Sequence, residues 1–174
     1  MKYHPRQIIF YLIIVLPVKE IIGCICPPKM NLLKIQKNEM KNSDCIFIAE
    51  IIEVYDNLTY KIKVIESLDG GDTYGNIYIG QNWKTCHPYV ENKGKWIMYG
   101  NMDNGFLKLN TCGISRRFDY PVVKHLAPPP KPQEKPKSDE QQKKDFNKLR
   151  EKSIQIGKSQ LKTEIMTLRE IRDQ

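Results

Sequence analysis

The residues of this chain that carry the most chemical information are its five cysteines: Cys24, Cys26, Cys45, Cys86 and Cys112. The first two stand one residue apart in the stretch GCICPP, at 23–28. Disulfides persist mainly outside the reducing cytosol. An odd number of cysteines leaves at least one of them free, lipidated or joined to another molecule. The chemistry of these thiols therefore depends on whether the chain is exported.

The first 23 residues are laid out like a secretory signal peptide. Lys2 and Arg6 precede an apolar run at 8–18, and the small residue Gly23 ends the segment. A charged start, an apolar middle and a small residue at the cleavage point are typical of such a signal. A permanent membrane anchor is disfavoured, because the run is short and charged residues follow it at once. We expect a signal helix over 1–23 and a secreted or extracytoplasmic protein.

The charge distribution argues against a nucleic-acid partner. The net charge is +8, but residues 24–126 hold 13 basic and 11 acidic side chains, and residues 127–174 hold 12 and 8. A nucleic-acid-binding domain concentrates positive charge on one face, whereas the central part of this chain is nearly neutral. Trp83 and Trp96 are therefore expected to pack in or around a core rather than to stack on bases.

Between residues 44 and 110 the sequence predicts five β-strands. Segments rich in β-branched and aromatic residues lie at 44–54, 59–66, 76–80, 95–100 and 106–110. Turn-forming residues separate them, and Asp103-Asn104-Gly105 is a good hairpin signal. Five strands in so short a stretch, with no long helical period among them, predict a small closed or nearly closed β-barrel.

The composition changes abruptly after Leu126. Residues 127–138 are rich in proline and lysine and predict an extended linker. The core is therefore expected to end near residue 126.

Residues 139–174 predict a helical tail. Phe146 and Leu149 lie in one part, and Leu161, Ile165 and Leu168 lie in the other; spacings of three and four place each set on one helical face. Gly157 is expected to weaken the joint between the two parts. Two interpretations stay open: a solvated, partly disordered tail, or an amphipathic helix that binds a protein partner or pairs with itself.

These features together resemble the N-terminal domain of the tissue inhibitors of metalloproteinases, a member of the netrin-like group of OB-fold barrels. The stretches that carry the resemblance are CICPP (24–28), NSDCIFIAEI (42–51), YKIKVIE (60–66), TCHPY (85–89) and GKWIMYGNMDNGFLKLNTC (94–112). It covers roughly residues 24–117 and implies a mainly β, five-stranded OB-fold domain over 24–126.

The resemblance also implies two disulfides, Cys24 to Cys86 and Cys26 to Cys112. In that family the mature chain begins at the first cysteine of the Cys-x-Cys pair, so both bonds would pin a protruding N-terminus to the barrel. This chain lacks the partners of a third family disulfide and lacks the second, cysteine-rich domain of the animal proteins.

Cys45 matches no disulfide of the family. On an alternating strand it shares a face with Phe47, Ala49 and Ile51. It is therefore predicted to be a small buried hydrophobe.

Family members inhibit zinc proteases by placing the α-amine and carbonyl oxygen of the first residue on the catalytic zinc. A catalytic zinc keeps one open position for such ligands. The resemblance implies that Cys24 chelates the zinc of the target, that Ile25 enters its specificity pocket and that Cys26 completes the protease-binding edge. The chain would need no cofactor and no metal of its own, and its partner would be an extracellular zinc metalloprotease.

A competing interpretation concerns the same cysteine. Residues 21–24, Ile-Ile-Gly-Cys, also fit a relaxed bacterial lipobox. Acylation of Cys24 would attach the protein to a membrane and remove both the thiol and the amine, so lipidation and zinc chelation exclude each other. The alternative function is an envelope-attached lipoprotein or a protein-binding module without inhibitory activity.

The sequence lacks the motifs of a hydrolase or a metal enzyme. Its histidines are His4, His87 and His125, and it contains no HExxH, Cys-His zinc pattern or Gly-x-Ser-x-Gly. His87 follows Cys86, but a catalytic Cys/His pair would require Cys86 to be reduced. We therefore expect a non-enzymatic protein.

Overall fold

The computed structural model describes residues 24, 26, 31–123 and 138–174. The elements in chain order are α1 (Leu32–Asn42), β1 (Cys45–Val54), β2 (Thr59–Ser67), β3 (Ile77–Gln81), β4 (Gly94–Asp103), β5 (Phe106–Leu109), β6 (Arg116–Arg117) and α2 (Asp139–Arg172). The predicted signal segment, and the predicted linker up to residue 137, lie outside the described residues.

The five predicted strands are confirmed, and they close into a barrel. They follow one another in the order β1-β2-β3-β5-β4, and β1 pairs with β4 to complete the circle. β3 and β5 run parallel, whereas the other four neighbouring pairs around the barrel are antiparallel. This is the strand arrangement of an OB fold. The short strand β6 extends the sheet beyond β4.

The inside of the barrel is filled by alternate residues of each strand. Its largest fully buried side chains include Phe47, Tyr60, Ile62, Met98 and Leu107. Side chains of a strand point alternately to its two faces, so the residues of β1 and β4 that lie between these inward-facing positions point to the outer face of the barrel.

The outer face of β1 and β4 belongs to a second core, which both helices cover. The buried residues of this cluster are Ile35, Ile46, Ile48, Leu68, Ile97, Tyr99, Ile114, Val123, Leu161, Ile165 and Leu168. β1 is therefore buried on both faces over its first half, which explains why its sequence is an almost continuous apolar run. The core continues beyond residue 126, where the sequence predicted its end.

The predicted helical tail is one continuous helix of 34 residues, and its second half packs on the barrel. Gly157 does not interrupt it. A Cβ at this position would lie 2.5 Å from the carbonyl oxygen of Pro121, so glycine allows the helix to approach the chain that leaves β6. Phe146 and Leu149, in the first half, are 65% and 60% exposed.

α1 was not predicted. Asn31 caps it, with its side-chain oxygen accepting a hydrogen bond from the Leu33 amide at 2.9 Å. The residues that α1 buries are Ile35, Gln36 and Glu39. Two of the three are polar, which hides the apolar periodicity by which an amphipathic helix is recognised.

Candidate functional site

The two cysteines of the Cys-x-Cys segment lie against two loops that leave the barrel at the same end. We call residues 24–26 the N-terminal edge, residues 82–93 between β3 and β4 the Cys86 loop, and residues 110–115 between β5 and β6 the Cys112 loop. Among the described residues, these segments contain every cysteine except the one on β1.

The base of the Cys86 loop is closed by one asparagine side chain. The Asn82 amide donates to the carbonyl of Val90 and accepts from the amide of Val90, both at 2.8 Å. Trp83 ties the same loop to β5, because its indole N–H donates to the carbonyl of Leu109 at 2.8 Å. The loop therefore has a fixed starting geometry although it contains no regular structure.

The Cys112 loop is a tight turn held from two sides. The Gly113 amide donates to the carbonyl of Asn110 at 3.1 Å, and the Cys112 amide donates to the carbonyl of His87 at 2.7 Å. The second bond joins the two loops directly. Cys112 has a φ of 58°, which is uncommon for a residue with a Cβ.

Two disulfides attach the N-terminal edge to these loops, with the pairing that the resemblance implies. Cys24 is bonded to Cys86 and Cys26 to Cys112, and each pair of Cα atoms is 5.3 Å apart. They close loops with sequence separations of 62 and 86 residues. Loop-closure entropy allows each about 4 kcal/mol of stabilisation. Cys24 is exposed and Cys26 half-buried.

The third residue of the predicted protease-binding edge, Ile25, lies outside the described residues. The structure thus brings together the cysteines of the site, while the role of the edge in binding a protease stays a prediction. The two disulfides indicate that the protein matures in an oxidising environment.

Cys45 is free and buried, as predicted. It lies in the barrel interior with Phe47, Ala49 and Ile51, and its thiol donates to the carbonyl of Gly100 at 3.4 Å. Burial raises the pKa of the thiol to about 12, with nearby carboxylates adding to the effect. A thiol that stays protonated in the interior takes no part in the site.

The aromatic residues and the histidine near the two disulfides mostly pack against other parts of the protein. Trp96 and Tyr99 are buried, whereas Trp83 is at the rim. His87 borders an open cavity of about 540 Å³ that Cys26 and Tyr89 also line. Because the adjacent Cys86 is in a disulfide, the Cys/His pair considered from the sequence has no free thiol.

A buried polar network, which the sequence did not predict, contacts the Cys112 loop. Arg116 of β6 forms an ion pair with Glu164 of α2, and both are almost fully buried. Arg116 also donates to the carbonyl of Ile114 at 2.8 Å. The hydroxyl of Tyr99 donates to Glu164 at 2.6 Å.

The pKa of Tyr99 is raised well above its usual range by burial and by the adjacent Glu164 carboxylate. The phenol therefore remains a hydrogen-bond donor to Glu164 at physiological pH. This bond links α2 to β4, and the ion pair links α2 to the strand that follows the Cys112 loop.

The described residues contain no group of three or more His, Cys, Asp or Glu side chains that could hold a metal ion. In the same part of the chain, none of the helices has the length and apolar character needed to cross a membrane.

Fold and site together define a class: a closed OB-fold barrel whose N-terminal edge is fastened by two disulfides to one end of the barrel. No protein-family model matches the chain, and no curated protein matches it either.

Proposed function

We propose that this protein is an exported, non-enzymatic inhibitor of a zinc metalloendopeptidase, similar to the tissue inhibitors of metalloproteinases. Its N-terminal edge, Cys24-Ile25-Cys26, binds across the active site of the protease. The protein acts extracellularly and needs no cofactor or metal of its own.

The observation that carries this proposal is the double attachment of the N-terminal edge. Cys24 is exposed, yet its position and that of Cys26 are fixed by two covalent bonds to loops that are themselves hydrogen-bonded together. A binding segment that is ordered before it meets its partner loses less conformational entropy on association. An exposed but rigid chain end is the feature that an active-site inhibitor needs.

The chemistry of the edge suits a zinc ion. After cleavage at Gly23, the α-amine and the carbonyl oxygen of Cys24 can occupy the open position of a catalytic zinc together. The amine must be neutral to bind, and because its reference pKa is about 7.7–8.0, deprotonation at pH 7 costs about 1.4 kcal/mol or less. Ile25 supplies an apolar side chain for the apolar specificity pocket of the protease.

The disulfide of Cys24 also favours this function over lipidation. A sulfur bonded to Cys86 is not available for acylation. Intact-mass and N-terminal analysis of the exported protein distinguishes the two. The proposal expects an unmodified Cys24 at the N-terminus and a mass lower than that of the reduced chain by the four hydrogens of two disulfides. Added acyl mass on Cys24 would instead establish an envelope-attached lipoprotein.

The zinc-chelation mechanism is tested by one added residue. An alanine placed ahead of Cys24 moves the free amine away from the disulfide-fixed position, so we expect inhibition of any sensitive metalloprotease to weaken at least a hundred-fold, about 2.7 kcal/mol. An alanine added after Gln174 is the matched control and should change nothing. Unfolding midpoints should be equal for both. Undiminished inhibition by the N-terminally extended protein would falsify the mechanism.

A further inference from the structure

The side chain of Glu39, in α1, contacts the Cys112 loop. It is only 9% exposed. Its Oε2 accepts a hydrogen bond from Nδ2 of Asn110 at 3.1 Å, and the same Nδ2 donates to Oγ of Ser43 at 2.8 Å. The backbone amide of Ile114 also acts on the Glu39 carboxyl group and lowers its pKa. One side chain thus bonds to the first residue of the loop and interacts with a residue near its end.

The loop backbone lies directly against this carboxyl group. A Cβ at Gly113 would be 2.7 Å from Oε2 of Glu39 and 2.8 Å from the carbonyl oxygen of Asn110. Only glycine permits such an approach. Gly113 follows Cys112, whose sulfur holds Cys26.

We propose that Glu39 is the residue that positions the N-terminal edge, by holding the Cys112 loop against α1, and that the proton on its carboxyl group controls how firmly the loop is held. This inference rests on the proposed function of the edge, and it concerns the regulation of that same site.

The charge state of Glu39 is set by its surroundings. Burial raises its pKa from 4.5 to about 7, although the hydrogen bonds from Asn110 and Ile114 lower it; the negative charge of Glu164 raises it further. Desolvation of the charged form therefore outweighs the two donors.

The other ionisable groups near Glu39 come from β4, β5, β6 and α2. Tyr99 of β4 and Arg116 of β6 belong to the network around Glu164, where the neutral Tyr99 hydroxyl and the Arg116 guanidinium both bond to the Glu164 carboxylate. Asp103 and Lys108 of the β4–β5 hairpin line the same outer cavity as Glu39 and pair with each other. Among these groups, the Glu39 carboxyl group is the one whose pKa burial raises to about 7.

The direction of the pH effect follows from linkage. In a closed loop the carboxyl group titrates at about 7, whereas in an opened, hydrated loop it returns towards 4.5. The closed loop is therefore fully stabilised below pH 4.5, and this stabilisation is lost as pH rises to about 7. The opening equilibrium constant should rise by up to roughly 300-fold over this interval and level off above it.

Amide hydrogen exchange in the full oxidised protein tests this between pH 5 and 8. After correction for intrinsic exchange rates, protection of the Cys112, Gly113 and Ile114 amides should fall about tenfold per pH unit up to pH 7 and then level off. In Glu39→Gln, which keeps the size and an acceptor, protection should not change with pH. The matched control Glu50→Gln, on an exposed position of β1, should behave like the unmodified protein.

The amide of Phe47, inside the barrel, reports global opening. If it shows the same pH dependence as the loop, Glu39 acts on the whole fold and the positioning role is wrong. Equal pH profiles for Glu39→Gln and the unmodified protein would also overturn it. Should Glu39→Gln fail to fold, the comparison of the loop with Phe47 in the unmodified protein still decides.

The exchange measurement needs no protease, so it is separate from the test of function. Loop protection that depends on Glu39, combined with no inhibition by the free N-terminus, would remove the proposed function and leave the positioning intact. If the protein inhibits a protease but the protection of the loop amides does not change with pH, only the positioning role is wrong.

Discussion

The two ends of the described chain are fastened to the same barrel by different forces. In the N-terminal edge, Cys24 is exposed and Cys26 half-buried, and both are held by covalent bonds. The second half of α2 has no covalent link and is held by buried apolar residues and by the Arg116–Glu164 ion pair. The segment proposed to meet a partner is thus the one that does not need burial to stay ordered.

This difference has a physical reason. A helix that depends on burial must hide its contact residues, so Leu161, Ile165 and Leu168 are not available to a partner. A disulfide acts mainly by restricting the unfolded chain and leaves the surface of the folded segment free. Disulfides therefore suit an end that binds, and burial suits an end that supports.

The largest loss of stability is expected for the buried ion pair between Arg116 and Glu164. Glu164→Ala leaves the guanidinium of Arg116 buried without its partner, which should lower the free energy of unfolding by roughly 3–5 kcal/mol. Urea unfolding followed by helical circular dichroism measures this loss. Glu170→Ala, on the exposed side of α2, is the control. Replacing both partners by apolar residues, Arg116→Met with Glu164→Leu, should recover only part of the loss, because the Tyr99 hydroxyl and the Ile114 carbonyl then lack a partner; equal losses in the single and double variants would contradict the ion pair's role.

Removing one of the two disulfides of the N-terminal edge should lower stability by an amount within the same range. Cys26→Ser with Cys112→Ser should lower the free energy of unfolding by about 4 kcal/mol, within a usual range of about 2–5 kcal/mol. Helix content at 25 °C should stay unchanged, because α2 does not depend on the edge. A loss of helix before the unfolding transition would show that the two ends are coupled, contrary to the comparison drawn above.

The smallest effects distinguish the two halves of α2. Leu168 is 1% exposed, and Leu168→Ala should cost about 3 kcal/mol through the cavity that it leaves. Phe146 is 65% exposed, and Phe146→Ala should change the free energy of unfolding by no more than about 0.5 kcal/mol. Thermal unfolding of both variants measures the difference. A large cost for Phe146→Ala would mean that the first half of α2 also packs on the protein.

Much of the barrel was predictable because strand signals are local. The alternation in residues 59–66 and the hairpin turn at Asn104 and Gly105 depend on neighbours in the chain, and both are found in the structure. The disulfide pairing was predictable only through the resemblance, since five cysteines do not reveal by themselves which of them are bonded.

The polar parts of the structure were not predictable. Glu39, Arg116 and Glu164 look like ordinary surface charges in the sequence, because what distinguishes them is the burial that distant segments impose. Glu164 and Arg116 are 48 residues apart, and Glu39 and Asn110 are 71 apart. The signal for α1 was weak for the same reason, because its buried face is partly polar.

The sequence by itself determined the barrel strands, the helical character of the tail and the buried position of Cys45, because each follows from the period of apolar residues along the chain. The tertiary structure decided where α2 docks, how α1 supports the Cys112 loop and which carboxyl groups lose their water. These depend on contacts between residues far apart in the chain, and the free energy of a charged group is set by the segments that surround it rather than by its neighbours in sequence.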